Sequence, residues 1–212
     1  MIRRARSVCR NGVYAVTVLL LGAILLVLFR VRVRGRKQHV DPREGYIAVA
    51  RHRSYWDAPL LAVGLGWWNR IHFIARKGLM KDMLLLRPFL RMFSTMIDRE
   101  SFSKTDFRNV LQAIREERLV GIFPEGTTRQ AVDAKAGAIR FAAMTDKKLL
   151  PVNIRVRGPY PPRYPFRFPQ ITVSIGEPVS VEALERETVA DATRSAKTKR
   201  MSERLMELVD AA

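Results

Sequence analysis

The chain of 212 residues has one long apolar run near its start and many short ones after it. Beyond residue 40, short apolar runs bounded by turn residues alternate with stretches that have helical spacing. The short runs predict strands at residues 46–50, 71–75, 95–97, 119–123, 149–156 and 171–175. The helical spacing predicts helices at residues 57–64, 107–118, 138–145 and 190–209. Strands that alternate with helices are typical of a single α/β domain with a largely parallel or mixed central sheet flanked by helices.

The long apolar run, Val13 to Phe29, contains 17 uncharged residues between two basic clusters. As a helix it would extend roughly 26 Å, slightly less than the ~30 Å hydrocarbon core of a bilayer, and snorkelling arginines could close that gap. A signal peptide also has a basic start and an apolar centre, but this run lacks a small-residue cleavage site. We therefore expect residues 1–40 to be an uncleaved hydrophobic membrane helix, spanning or re-entrant, and residues 41–212 to form the functional domain.

The net charge of +18 is extreme, and half of it lies in residues 1–40, which carry nine Lys or Arg and no Asp or Glu. Such a charge fits nucleic acid or an anionic membrane surface. Because the charges flank an apolar run, we expect a membrane and not nucleic acid as the partner. Cys9 is the only cysteine, which excludes an intramolecular disulfide framework and a cysteine-based zinc site.

Two apolar segments each allow two interpretations. Residues 83–93 mix Leu and Phe with Arg87 and Arg91, which fits a core helix kinked at Pro88 or a segment that dips into the membrane surface. The basic surroundings favour the membrane surface. The pair Trp67-Trp68 fits the membrane interface and the protein core equally well.

Polar side chains follow the first predicted strand of the domain. His52 comes just after residues 46–50, and Asp57 begins the next helix. A histidine titrates near pH 6.5, and a carboxylate that accepts from one ring nitrogen orients the ring and stabilises its protonated form. His52 and Asp57 are therefore candidates for a general base and its orienting group, although a structural histidine with a capping aspartate gives the same spacing.

Two further predicted strands also end in charged residues, namely Asp98, Arg99, Glu125 and Arg129. In an open α/β sheet, ligands bind outside the carboxyl ends of the strands, so we expect these residues to converge on one cleft with His52. Arginines and Lys77 in such a cleft would bind a phosphate group, since a guanidinium can hold phosphate through two parallel hydrogen bonds.

Four blocks, in this order and spacing, resemble those of the glycerolipid acyltransferase family, whose best-known members are 1-acyl-glycerol-3-phosphate acyltransferases. The blocks are His52-x4-Asp57, Ile97-Asp98-Arg99, Phe123-Pro124-Glu125-Gly126-Thr127-Thr128-Arg129 and Leu150-Pro151-Val152. The third block is the most specific, and the resemblance covers about residues 40–180.

The resemblance implies that an acyl chain passes from acyl-CoA or acyl carrier protein to the free hydroxyl of lysophosphatidic acid, giving phosphatidic acid. It implies that His52 takes the hydroxyl proton and that Asp57 supports it. It implies that Arg99, Arg129 and, more loosely, Lys77 bind the phosphate of the acceptor. It implies that the rest of the acceptor site consists of Asp98, Glu125, Gly126 and Thr127. Pro151 matches the block that is associated with the acyl donor. We expect no metal and no cofactor beyond the acyl thioester, and a place at the bacterial inner membrane with the domain on the cytoplasmic side.

The residues favour direct transfer without an acyl-enzyme, because there is no Gly-x-Ser-x-Gly motif and Cys9 lies in the anchor region. We expect Ser54 to serve a turn or cap. Two departures from the family pattern leave the acceptor open: Arg51 replaces a common Asn, and Ser94-Thr95-Met96 replaces a common glycine. The alternatives are another acceptor, such as lyso-ornithine lipid, or a basic membrane-binding protein without activity.

Overall fold

A mixed β-sheet lies between two layers of helices. The computed structural model describes residues 2–82, 84–98, 101–124, 131–160, 168–187 and 194–212. Within these ranges, seven strands pair in the order β1-β7-β6-β2-β5-β3-β4. The strands are β1 (Arg32–Arg34), β2 (Tyr46–Ala50), β3 (Ile71–Arg76), β4 (Ser94–Ile97), β5 (Leu119–Ile122), β6 (Lys148–Arg157) and β7 (Gln170–Ile175). The predicted α/β fold with a mixed central sheet is confirmed.

Neighbouring strands run parallel except β6 and β7, which are antiparallel. The central strand β2 pairs with β5 on one side and β6 on the other. All five of its residues are at most 1% exposed, as expected for an apolar strand that is covered on both faces. Because β2 to β6 run in the same direction, their carboxyl ends meet at one edge of the sheet.

Helices cover both faces of the sheet. They are α1 (Ile2–Phe29), α2 (Arg36–His39), α3 (Asp57–Leu65), α4 (Leu79–Asp82), α5 (Arg87–Phe93), α6 (Lys104–Glu116), α7 (Ala131–Thr145), α8 (Val181–Glu187) and α9 (Arg194–Ala211). One apolar cluster joins α1, α3 and α5 to one face. A second cluster joins α6, α7, α8 and α9 to the other. The helices in these two clusters bury one apolar side against the sheet or a neighbouring helix, whereas α2 and α4 contain no buried residue.

One of the two interpretations of residues 83–93, the kinked helix, is wrong, and the structure adds a helix before the predicted basic helix at residues 190–209. Residues 84–93 do not form a helix kinked at Pro88: α5 begins at Arg87, and Pro88 lies in its first turn, where the missing N–H is not needed for the helix. The predicted helix at residues 190–209 corresponds to α9, and α8 precedes it as a separate helix that begins after Ser180. Ser180 Oγ accepts a hydrogen bond from the backbone N–H of Ala183, which is a helix-capping contact.

The sheet extends into residues 1–40, which the sequence assigns to the anchor. β1 pairs in parallel with β7, with Arg32 opposite Thr172 and Arg34 opposite Ser174. Val33, between the two arginines, packs against the apolar cluster that contains α1. Arg32, Val33 and Arg34 therefore form an edge strand with one apolar side. The same sequence is also typical of the basic residues that flank a membrane helix.

Helix α1 is apolar on most of its surface, but only one side of it is buried. Tyr14, Val18, Leu25 and Phe29 are at most 4% exposed and belong to the core that includes α3. Residues on the other side are open, with Leu20 64% and Val27 79% exposed. The segment Ser7–Phe29 is long and apolar enough to cross a membrane, judged by length and composition. One side of this helix is thus part of the domain core, and the other is an apolar surface.

Candidate active site

The candidate base lies where the chain leaves β2. The strand ends at Ala50 and α3 begins at Asp57, so residues 51–56 form the connecting turn. Nδ1 of His52 lies 3.3 Å from Oδ2 of Asp57. The ring is close enough for an ion pair, but it is not aligned for a hydrogen bond. The side chain of Asp57 is 1% exposed and that of His52 is 24% exposed, so the carboxylate is interior while the ring reaches the surface.

Three hydrogen-bond donors hold the Asp57 carboxylate. The backbone N–H groups of Arg53 and Ser54 each donate to Oδ2 at 2.6 Å. The hydroxyl of Tyr160 donates to Oδ1 at 2.5 Å. Burial disfavours the charged form, but the His52 ring, the Tyr160 hydroxyl and the two backbone groups outweigh it and hold the pKa of Asp57 below its usual range. Asp57 is therefore an ionised carboxylate fixed at the edge of the histidine ring.

An aromatic side chain packs on the face of the His52 ring. The ring centroids of His52 and Phe123 are 4.7 Å apart, with 29° between the ring planes. Phe123 follows β5, the strand beside β2, and it also stacks on Phe73 of β3. The histidine is thus held by a carboxylate at one edge and by Phe123 on its face, and Nε2 is the ring nitrogen that does not face Asp57. The position of Phe123 at the end of a strand is the sequence signal for this contact.

Tyr160 is a site residue that the sequence does not reveal. It lies 103 residues from Asp57, in a Pro- and Arg-rich segment that resembles an irregular surface loop. Burial, together with the hydrogen bond to Asp57 and the Asp57 charge, raises the pKa of the Tyr160 hydroxyl well above its ordinary value. The hydroxyl therefore keeps its proton and acts as a donor at any pH near neutrality.

Arg51, which precedes the candidate base, is engaged by the C-terminal helix. Its guanidinium donates from Nε and from a terminal nitrogen to the two carboxylate oxygens of Asp210, each at 2.6 Å. The backbone carbonyl of Asp210 in turn accepts from Asn153 Nδ2 of β6 at 2.8 Å. The end of α9 is thus tied to the turn that carries His52.

The ends of β3 and β4 lie at the same edge of the sheet. The backbone N–H of Lys77 donates to the carbonyl of Ile97 at 2.9 Å. Lys77 Nζ lies 3.7 Å from Asp106 Oδ1, and its side chain is 59% exposed, so it remains open to an anionic ligand. Asp98 Oδ1 accepts from the backbone N–H of Ser101 at 3.1 Å. Lys77 and Asp98 therefore share an edge of the sheet with His52.

Five of the predicted site residues lie outside the described residues, namely Arg99, Glu125, Gly126, Thr127 and Arg129. Their neighbours in the chain are described: Asp98 follows β4, and Pro124 follows Phe123 at the end of β5. The roles predicted for these five residues in binding the acceptor stay predictions.

The sequence of this chain matches the model of a known protein family. The Acyltransferase family model matches residues 30–155, which is more than half of the chain. The chain belongs to the acyltransferase family. The matched region runs from the end of α1 into β6 and includes His52, Asp57 and Phe123.

Three known proteins resemble this acyltransferase. It is 27% identical over 144 residues to the 1-acyl-sn-glycerol-3-phosphate acyltransferase of Bacillus subtilis (strain 168), a match that covers 68% of this chain and 71% of the relative. It is 26% identical over 182 residues to the protein of the same name from Streptococcus pneumoniae (strain ATCC BAA-255 / R6), covering 80% and 67% of the two chains. The crystal structure of the 1-acyl-sn-glycerophosphate (LPA) acyltransferase, PlsC, from Thermotoga maritima matches 97% of this chain and 82% of that chain, with a TM-score of 0.64 and 21% identity. This last likeness confirms the fold.

In this acyltransferase, Pro151 lies inside β6, opposite Val49 of β2. Its carbonyl accepts from the backbone N–H of Gly176 at 2.9 Å. The neighbours Leu150 and Val152 both pack on the α1 and α3 side, so the alternation of the strand places Pro151 on the opposite face. The predicted link between Pro151 and the acyl donor stays a prediction.

Ser54 makes the contacts of a turn residue. Its backbone N–H donates to Asp57, and its Oγ accepts from the backbone N–H of Trp56 at 3.3 Å. Within the described part of the chain, no group of three or more His, Cys, Asp or Glu side chains is placed to hold a metal ion. The described candidates for acid–base chemistry are His52 and Asp57, and Lys77 is the described candidate for binding an anion.

A separate polar network occupies the opposite, amino-terminal edge of the sheet. The two carboxylate oxygens of Glu117 accept from Arg10 at 2.8 Å and from Arg70 at 2.6 Å. Arg10 also donates to the carbonyl of Met92 at 2.9 Å. His72, at the start of β3, is buried and lies 2.9 Å from Thr95 Oγ1 through Nε2. This network ties α1 to the sheet, far from the ends of the strands that carry the candidate site.

Proposed function

We propose that this acyltransferase transfers a fatty acyl chain from an acyl thioester to the free hydroxyl of lysophosphatidic acid, with His52 as the general base. The observation that carries the proposal is the 3.3 Å approach of His52 Nδ1 to the buried carboxylate of Asp57 at the carboxyl end of β2. The names of the two bacterial relatives support lysophosphatidic acid as the acceptor. The donor is acyl-CoA or acyl carrier protein, both of which carry the acyl chain as a thioester.

The proposed reaction needs one base and no covalent enzyme intermediate. The acceptor oxygen attacks the thioester carbonyl carbon while its proton passes to Nε2 of His52, so a C–O bond forms as an O–H bond breaks. The tetrahedral intermediate then expels the thiolate by breaking the C–S bond, and the thiolate receives the proton from the imidazolium. Asp57 remains ionised throughout and stabilises the imidazolium. A thiolate leaves readily, so positioning and base catalysis suffice.

The acceptor phosphate is proposed to lie at the ends of β3 and β4. Lys77 is exposed there, and its 3.7 Å contact with Asp106 is loose enough to be exchanged for a phosphate oxygen. Arg76, the last residue of β3, donates to the Tyr55 hydroxyl at 3.3 Å and so links this strand end to the turn that carries His52. Arg99 and Arg129, the other proposed phosphate ligands, follow β4 and β5 in the sequence.

The acceptor is itself a membrane lipid, and we propose that α1 holds the enzyme at the membrane by lying along its surface. A helix that crossed the bilayer would have to withdraw Tyr14, Val18 and Phe29 from the domain core, in which they are almost fully buried. The exposed side of α1, with Leu20 and Val27, instead offers an apolar face that can enter one leaflet. The proposed location is the cytoplasmic side of the bacterial inner membrane, where the basic residues around α1 meet anionic lipid.

An assay of the purified full chain with labelled donors tests the proposal. The donors are acyl-CoA and acyl carrier protein, and the acceptors are lysophosphatidic acid, lyso-ornithine lipid and 1-acylglycerol, which lacks the phosphate. We expect label in phosphatidic acid and little transfer to 1-acylglycerol, because the strand-end cations select a phosphate. Transfer to lyso-ornithine lipid alone would contradict the proposed acceptor. Membrane binding without transfer to any acceptor would instead support a binding protein.

A further inference from the structure

The two oxygens of the Asp57 carboxylate have different partners. Oδ2 accepts from the backbone N–H groups of Arg53 and Ser54 and faces His52. Oδ1 accepts from the Tyr160 hydroxyl at 2.5 Å. Rotation of the carboxylate would break contacts on both oxygens at once, so the four partners together select one orientation. The Tyr160 contact is the one that reaches the site from a distant segment.

We propose that Tyr160 is a positioning residue for the general base: its hydroxyl holds the Asp57 carboxylate in the orientation that presents Oδ2 to Nδ1 of His52. The inference rests on the proposed function, in which His52 acts as the base. Tyr160 acts through Asp57, and His52 is the group proposed to meet the acceptor hydroxyl.

The hydrogen bond from Tyr160 is important for the orientation of Asp57 because the carboxylate is buried. The side chain of Asp57 is only 1% exposed, so water does not readily replace a lost donor. Without the Tyr160 hydroxyl, Oδ1 would be a buried acceptor lacking its partner, a state that folded proteins avoid. The carboxylate would then turn to share the remaining donors, and the distance and angle between Oδ2 and Nδ1 would change.

The Tyr160 hydroxyl also stabilises part of the negative charge of the Asp57 carboxylate through its hydrogen bond to Oδ1. Among the described residues, Tyr160 and Arg53 contact the Asp57 carboxylate, and Arg51, next to His52 in the chain, is paired with Asp210. Of these, only Tyr160 donates from a side-chain hydroxyl to Asp57 among the described contacts. Removing it leaves more negative charge facing the imidazole, which favours the protonated, inactive form of the base.

The variant Tyr160→Phe removes the hydroxyl and keeps the ring, and Tyr46→Phe is its matched control. Tyr46 is 1% exposed whereas Tyr160 is partly buried, and the Tyr46 hydroxyl accepts from the backbone N–H of Asp41 at the opposite edge of the sheet. We expect Tyr160→Phe to lower kcat roughly tenfold, as for one lost hydrogen bond to a charged group, with the KM for the acceptor within about twofold of wild type. We also expect the acid limb of the pH profile of kcat/KM to move to higher pH. Tyr46→Phe should leave both kcat and the pH profile of kcat/KM unchanged.

A second measurement does not depend on the identity of the acceptor. The ring signals of His52 are followed by NMR as the pH is changed, in the full chain in detergent micelles, and they are assigned by their loss in His52→Ala. In Tyr160→Phe they should change at a higher pH than in wild type.

The outcomes separate the inference from the proposed function. If the His52 signals shift in Tyr160→Phe but the wild-type protein transfers no acyl chain to lysophosphatidic acid, the positioning contact stands and the proposed acceptor fails. If both the NMR titration and the pH profile of Tyr160→Phe match wild type, Tyr160 does not position the base. A loss of stability with an unchanged pH profile would likewise overturn the inference, since a purely structural residue behaves in that way.

Discussion

At the scale of single residues, Asp57 combines near-complete burial with a negative charge. A carboxylate in that situation normally becomes neutral, because burial disfavours the charged form. Here two backbone N–H groups, a tyrosine hydroxyl and the histidine ring favour the charge instead. The residue is therefore a fixed anion beside His52, which is what an orienting partner of a general base requires.

The low pKa of Asp57 predicts how its replacement changes stability with pH. An Asp whose folded pKa lies below its unfolded value of about 3.9 stabilises the fold above that value, and this contribution is lost as the pH falls through the folded pKa. We expect Asp57→Asn to cost about 1–3 kcal/mol at pH 7, because buried donors lose a charged acceptor. The cost should shrink as the pH falls below about 4.

Denaturant unfolding of both proteins in detergent, at pH 7 and at several lower values, measures that difference. Other carboxylates with lowered pKa values, such as Glu117 and Asp106, affect both proteins alike. The difference between the two curves therefore isolates Asp57. A stability gap that stays constant over the whole acid range would contradict the assignment of an ionised Asp57.

At the scale of elements, helix α9 is tied to the turn that carries His52 through Arg51 and Asp210. Arg51 and Asp210 are 34% and 53% exposed in their side chains, so the pair contributes less than about 1 kcal/mol to stability. Its two hydrogen bonds nevertheless fix the residue next to His52. We expect Asp210→Asn to lower kcat by roughly two- to fivefold through misplacement of the base, while Asp210→Glu keeps most of the activity.

Steady-state kinetics and thermal unfolding of these two variants test the contact. Glu207→Gln is a suitable control, because Glu207 lies on the same helix and pairs with Arg204 instead. If Asp210→Asn and Glu207→Gln have the same kcat, the end of α9 has no part in positioning the turn.

The same elements show how far the sequence alone leads. β2 is predicted from Tyr46 to Ala50 because a strand buried on both faces is a continuous apolar run, and the start of α3 at Asp57 follows from the polar residue that begins it. β1 is not predicted, because an edge strand of three residues with two arginines has the composition of a membrane flank. The Tyr160 contact depends on a tertiary approach across 103 residues, for which the local pattern holds no signal.

At the scale of the whole molecule, α1 is both an apolar surface and a part of the core. Its buried side packs on α3, and Arg10 ties its first half to Glu117 at the amino-terminal edge of the sheet. The sequence shows the length and hydropathy of this helix but not which side is buried, because nearly every position from 13 to 29 is apolar. The proposed placement of α1 along the membrane surface rests on this buried side.

The only cysteine of the chain tests this orientation. Cys9 is exposed and lies in the first half of α1. If α1 lies along the surface, a membrane-impermeant thiol reagent should label Cys9 from the same side of the membrane as the domain. Ser101→Cys in a Cys9→Ala background marks the side of the domain, because Ser101 is exposed near the start of α6. Labelling of Cys9 and Ser101→Cys from opposite sides would show that the helix crosses the bilayer.

The most direct test of the central claim is single-turnover transfer of a labelled acyl chain to lysophosphatidic acid by the wild-type chain and by His52→Ala. The general-base account predicts a loss of roughly 10²–10⁴-fold in the variant, with membrane binding and the unfolding midpoint close to wild type. Transfer by a folded, membrane-bound His52→Ala protein at a rate near that of wild type would contradict the account.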